Sequence, residues 1–128
     1  MKLLLDSHVL LWYLVNDDRL PQPVKDLLED PATPVTVSVA TLWELMVKAL
    51  AGRLHLPDAP ERFLTDPIVD AGFRQLALEP RHVLALPELP QIHGDPFDRM
   101  LVAQAVVEGM SVVSGDPAIA RYPVNVVW

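Results

Sequence analysis

The sequence contains no cysteine. That excludes a disulfide scaffold, a thiolate-ligated zinc or iron–sulfur centre and thiol catalysis, and it suits a reducing compartment. It also lacks a long apolar run. Asp6 and His8 interrupt the leucine-rich opening, and Val9–Val15 falls well short of the ~20 residues that a membrane-spanning helix needs. A soluble, cytoplasmic protein with no membrane partner is expected. Positive charge is scarce too: 10 Lys and Arg face 17 Asp and Glu, for a net charge of −7. Taken alone, this argues against a nucleic-acid partner, because phosphate backbones attract Lys and Arg. No internal repeat or low-complexity segment occurs.

What is present suffices for a core. A chain of 128 residues, 51% of them hydrophobic, fits a single domain spanning 1–128. Its 13 prolines fall mostly in loops and at helix starts, where they punctuate one domain and mark no linker. Leu3-Leu4-Leu5 reads as a strand buried on both faces, and Val9–Val15 as a helix stopped by Asn16-Asp17-Asp18. A short amphipathic helix over Pro23–Glu29 follows, with Val24, Leu27 and Leu28 on one face. Val35–Ser38 is a β-branched strand. The longest periodic stretch, Val39–Ala51, places Leu42, Leu45, Met46 and Leu50 on one helical face, with Gly52 as its stop. Pro57–Gly72 suggests a proline-interrupted helical hairpin, Phe73–Leu78 a strand, Pro80–Ala85 a short helix and Leu86–Gly94 a loop. Pro96–Gly109 is a helix with Leu101, Val102, Ala105 and Val106 as its apolar set. Ser111–Val113 and Val124–Val127 are strands. Strands alternating with helices predict an α/β layered fold with a mostly parallel sheet.

Four carboxylates sit at strand-to-helix junctions of this plan. Asp6 ends the first strand, Glu44 lies in the helix after the second, Asp98 opens the Pro96 helix, and Asp116 follows Val112-Val113. In open α/β sheets, ligand sites form beyond the carboxyl ends of the strands, so these distant acids can meet in one crevice. Each also has a structural reading. Asp6 or Ser7 can cap a helix, Thr41-x-x-Glu44 fits a capping box, and Asp95-Pro96 and Asp116-Pro117 fit caps. Together they point further, because four converging carboxylates repel one another unless a cation neutralises them. With no Cys and no His pair at zinc spacing, such a site suits Mg²⁺ or Mn²⁺ better than Zn²⁺, and that chemistry suggests phosphodiester hydrolysis.

The motifs are familiar. Leu3-Leu4-Leu5-Asp6-Ser7-His8-Val9-Leu10-Leu11-Trp12 resembles the opening of PIN-domain ribonucleases of the VapC toxin type. Leu42-Trp43-Glu44-Leu45, with Lys48 and Gly52-Arg53-Leu54, is similar to their second motif. The third and most specific is resembled by His93-Gly94-Asp95-Pro96-Phe97-Asp98-Arg99-Met100-Leu101-Val102-Ala103-Gln104-Ala105. Val113-Ser114-Gly115-Asp116, Tyr122 and Val126-Val127-Trp128 fit the end. The resemblance spans essentially the whole chain, in order.

It implies a PIN-like three-layer α/β/α sandwich and a toxin endoribonuclease of a bacterial toxin–antitoxin module. Asp6, Glu44, Asp98 and Asp116 become the catalytic and metal-binding set, with Asp6 and Asp98 as the principal ligands of Mg²⁺ or Mn²⁺. Glu44 and Asp116 help hold the metal and orient the attacking water, and the products carry a 3′-hydroxyl and a 5′-phosphate. The implied partners are RNA, a cognate antitoxin and a second copy of the chain in a homodimer. Ser7 stands where the family often has Thr, Ser114 can hydrogen-bond the site, and Asp95 is expected to be a cap. Lys48, Arg53, Arg99 and Arg121 are candidate phosphate or antitoxin contacts, or solvated surface charges. His8 and His93 flank the site, as ligands or as hydrogen-bonding groups. Trp12, Trp43 and Leu11 are expected in the core or a subunit interface, and an exposed apolar face on the early helices would suit the dimer and antitoxin.

Two other readings share the acidic pocket. A phosphoacceptor receiver domain usually pairs acids after the first strand and carries a late Lys. Here Asp6 stands alone, and no Lys occurs after Lys48. A catalytically inactive PIN interaction module is disfavoured by the four intact acids.

Overall fold

A computed structural model describes all of residues 1–128. Five strands, β1 (Leu3–Leu5), β2 (Val35–Ser38), β3 (Arg74–Leu76), β4 (Ser111–Val113) and β5 (Val126–Val127), form one sheet in the order β3-β2-β1-β4-β5. Every pairing is parallel. The helices are α1 (Ser7–Leu14), α2 (Gln22–Glu29), α3 (Val39–Leu50), α4 (Pro60–Phe63), α5 (Asp66–Asp70), α6 (Pro80–Leu84) and α7 (Pro96–Glu108). The mostly parallel sheet expected from the sequence is therefore wholly parallel, and Pro57–Gly72 does divide into two short helices.

The run of leucines in β1 follows from its central place. Successive side chains of a strand point to opposite faces, so Leu3 and Leu5 join Val9, Leu10, Val37 and Leu45 on one side. Leu4 joins Leu101, Val102 and Val112 on the other. All three leucines are fully buried. One core underlies α1, α2, α3, α4 and α5, and the other underlies α7, which makes three layers.

Buried polar groups tie the layers together. Gln104, in the middle of α7, is fully buried. Its Oε1 accepts from the Ser38 hydroxyl, and its Nε2 donates to the Ala77 carbonyl at 3.3 Å. Ser38 also caps α3 by accepting from the Ala40 amide. α3 starts at Val39, as read from the sequence, so the alternative reading of Thr41-x-x-Glu44 as a capping box does not hold and Thr41 is buried inside the helix. Asp95 does cap α7, accepting from the amides of Phe97 and Asp98. Gly109 ends that helix at φ 67°, a left-handed conformation that glycine adopts without strain.

Two apolar expectations fail. Leu50 is 78% exposed and Val106 47% exposed. Leu50 lies in the last turn of α3, beyond the turns that reach the core. Val106 follows a stretch, Leu101–Ala105, that is buried on all sides, so periodicity there cannot indicate where the helix runs past its neighbours.

Candidate active site

β1 is the strand at which the chain changes direction across the sheet, with β2 on one side and β4 on the other. A crevice opens beyond the carboxyl ends of strands at such a point. Asp6 leaves the end of β1 and is 4% exposed. Its Oδ1 accepts from the Val9 amide at 2.8 Å, so it is also the cap of α1. Asp116 lies just past β4, where its Oδ1 accepts from the Ala118 amide and its own amide donates to the Ser114 hydroxyl. Glu44, 5% exposed, reaches the crevice from the second turn of α3. Its Oε2 accepts from Lys48 Nζ at 2.6 Å and from the Ser7 hydroxyl at 3.2 Å. Asp98, in the first turn of α7, meets His93 Nε2 at 3.0 Å through Oδ2.

The four carboxylates feel one another. Burial, above all, pushes the Asp6 carboxyl up from the usual carboxylate range, and Asp116 adds to this; the Ser114 hydroxyl, the Val9 amide and His8 oppose it. Burial likewise pushes Asp98 up, against the His93 contact, and the charges of Asp95, Glu44 and Asp116 add to the rise. Of the four, only Glu44 is neutralised by a lysine or arginine. Concentrated, hard oxygen donors with little compensating positive charge match a divalent cation that keeps much of its water. The residues present therefore fit Mg²⁺ or Mn²⁺.

A different group brings metal-ligating atoms closer together. Ligand atoms of Glu79, His82 and Glu108 lie within 4.8 Å of one another, at the far end of α7 from Asp98. The donor directions there disfavour a metal. His82 Nδ1 accepts from the Glu79 amide at 3.0 Å, so Nε2 carries the proton and faces Glu108 Oε1 at 3.5 Å. Arg81 already bridges Glu79 and Glu108. The group fastens α6 to α7.

The site agrees with what the whole chain resembles. The family model "PIN domain" matches residues 3–125. The chain belongs to the PIN-domain family. PIN domains are generally nucleases, and those nucleases use divalent metals, the chemistry to which this donor set is suited. Solved structures similar to this PIN domain include VapBC2 from Rickettsia felis bound to a DNA fragment from their promoter, with a TM-score of 0.74 at 13% identity, covering 99% of this chain and 98% of that one. FitAB bound to the IR36 DNA fragment is similar with a TM-score of 0.65 at 19% identity, covering 98% and 93%. Among curated proteins, none matches this PIN domain in sequence.

The flanking residues divide. Ser7 and Ser114 are buried and hydrogen-bonded at the site, and Asp95 is the expected cap. Arg99 points inward, donating to the Pro90 carbonyl at 2.8 Å and the Tyr122 hydroxyl at 3.2 Å, and so is no free phosphate contact. Arg53 and Arg121 are exposed, as is His8. Trp43 is 59% exposed and packs edge-on against Phe97, so it is not a core residue. Trp12 and Leu11 are half-buried.

One feature escaped sequence reasoning. A cleft of about 410 Å³ runs from Asp6 and Asp116 past His8 to Trp12, Trp128 and Arg19. The Arg19 guanidinium lies 5.0 Å from the Trp12 ring centre and is anchored to Asp17. The Trp128 indole lies so close over Gly115 that a Cβ there would come within 2.5 Å of it. Nothing in the spacing of Arg19 sets it apart from a surface charge in an acidic turn.

Proposed function

We propose that this chain is the toxin of a toxin–antitoxin pair, a VapC-type endoribonuclease dependent on Mg²⁺ or Mn²⁺. The observation that carries the reading is that Asp6, Glu44, Asp98 and Asp116, drawn from four separate elements, lie close enough for Asp116 to act on both Asp6 and Asp98 and for Glu44 to act on Asp98, while Asp6 and Asp116 line a cleft of aromatic rings and arginine. Asp6 and Asp98 would hold the metal, and Glu44 and Asp116 would complete its surroundings and orient the attacking water. A divalent cation bound there would neutralise charge at the attacked phosphate and make its water a better nucleophile. The protein's own groups supply the rest. Ser7 and Lys48 fix Glu44, Ser114 fixes the turn that carries Asp116, and Arg19 and Arg53 offer charge to flanking phosphates. The aromatic faces of Trp12 and Trp128 suit stacking by unpaired bases, which points to single-stranded RNA.

Similarity in fold to VapBC2 and FitAB supports an antitoxin as the second partner. The acidic crevice suits a basic antitoxin segment. A homodimer is the third part of the proposal, through the exposed apolar side chains Trp43, Leu50 and Leu84 on α3 and α6; α1, the earliest helix, offers little such surface.

The test is a ribonuclease assay on total cellular RNA with Mg²⁺, Mn²⁺ or EDTA, run beside the Asp6→Asn protein, with cleavage sites mapped. Metal-dependent cuts bearing 3′-hydroxyl ends, lost in the variant, are expected. Cleavage that survives EDTA or Asp6→Asn would overturn the assignment. So would acyl phosphate labelling of Asp6.

A further inference from the structure

Tyr122 is 3% exposed. Its hydroxyl has two partners, Arg99 Nη1 at 3.2 Å and His93 Nδ1 at 2.7 Å. Elimination decides which group donates. A guanidinium carries only donors, so the phenol oxygen accepts from Arg99. The phenol's own proton then has one acceptor, Nδ1 of His93. An imidazole that accepts at Nδ1 bears its proton on Nε2, and Nε2 lies 3.0 Å from Asp98 Oδ2. The chain of hydrogen bonds therefore runs one way, from Arg99 through Tyr122 and His93 to Asp98.

We propose that His93 is a positioning residue for Asp98, locked in its Nε2–H form by Tyr122 and Arg99. Its N–H occupies one oxygen of the carboxylate, fixes the rotamer and leaves the other oxygen to the metal. The three groups come from separate places: the loop before α7, the first turns of α7 and the segment after β4. Arg99 is itself held by the Pro90 carbonyl and lies 5.9 Å from the Tyr122 ring centre. The relay thus couples the end of the chain to the orientation of a ligand. A partner that orients a metal ligand through hydrogen bonding is worth about 10–100-fold in metal affinity or activity. The inference rests on the metal-binding role of Asp98 proposed above.

Two measurements test it separately. In ¹⁵N-histidine-labelled protein without metal, His93 should show the signature of a protonated Nε2 and a bare Nδ1. In Tyr122→Phe that signature should weaken toward a mixture of tautomers. A protonated Nδ1 in the wild type, or an unchanged spectrum in Tyr122→Phe, would overturn the relay whatever the protein cleaves. The second measurement is Mn²⁺ binding by calorimetry. His93→Ala should bind about 10–100-fold more weakly, and His93→Gln, which retains an N–H at the same reach, should recover much of the loss. Wild-type affinity in His93→Ala would refute positioning. Failure of the wild type to bind Mn²⁺ at all would instead overturn the metal reading, leaving the tautomer result standing.

Discussion

Each carboxylate of the proposed site holds a structural post as well. Asp6 caps α1 and lies in the proposed metal site; its carboxyl, like that of Asp98, is pushed up chiefly by burial. The stability consequence has a definite sign. A carboxyl whose pKa is higher folded than unfolded binds its proton more tightly in the fold, so stability falls as pH rises from the unfolded value, near 3.8, through the folded one. Asn keeps the cap and discards the charge. In EDTA at pH 7, Asp6→Asn should therefore melt above the wild type, with the difference closing as pH drops below 3.8. Mg²⁺ should reverse the order by raising the wild-type Tm alone. Cleavage should fall by more than the ~100-fold seen when a ligand's outer partner is lost. Calorimetric melts across pH, with and without metal, check all three. The junction positions of these acids were legible because strand ends and helix starts are local properties. The inward turn of Arg99 was not, because Tyr122 and the Pro90 carbonyl lie far from it in sequence or outside any motif.

Among the elements, α7 shows how a cap serves a site. Asp95 accepts from two amides, one of them Asp98's own. Asp95→Ala should cost about 1 kcal/mol in chemical denaturation. It should also lower cleavage, because the turn that presents Asp98 frays; Asp95→Asn should restore both. β1 gives the contrasting case. Leu4 is fully buried against α7 and β4, and Leu4→Ala should cost about 2–5 kcal/mol. Denaturant titration measures either change. The strands and helices themselves were readable from apolar runs, Gly and Pro. The start of α3 at Val39 was readable too, but its cap was not: Thr41-x-x-Glu44 fits a capping box, whereas Ser38 at the end of β2 does the capping. The exposed Leu50 and Val106 show the same limit, since a periodic pattern identifies a face but not what packs on it.

On the scale of the whole molecule, the net charge of −7 no longer excludes RNA. Four of the acids are the proposed machinery for cutting it, and divalent cations bound there would neutralise them. The remaining surface is still poor in unpaired positive charge, which sets how RNA is held. With Arg19, Lys48 and Arg53 as the cations along the clefts beside Trp12, log K against log salt for a single strand should have a slope no steeper than about −2. Fluorescence titrations of the Asp6→Asn protein with single-stranded RNA across salt concentrations check this. A much steeper slope would mean a phosphate track elsewhere on the surface.

The sheet order carries one more consequence, in time. Leu3–Leu5 must wait for residues 111–113 to gain its second neighbour, since β1 pairs with both β2 and β4. Such distant pairings close late and slowly. The acids span the same distance, from residue 6 to residue 116, so no early fragment contains the site. A ribosome must therefore have made every residue from 6 to 116 before the proposed site can assemble beside it.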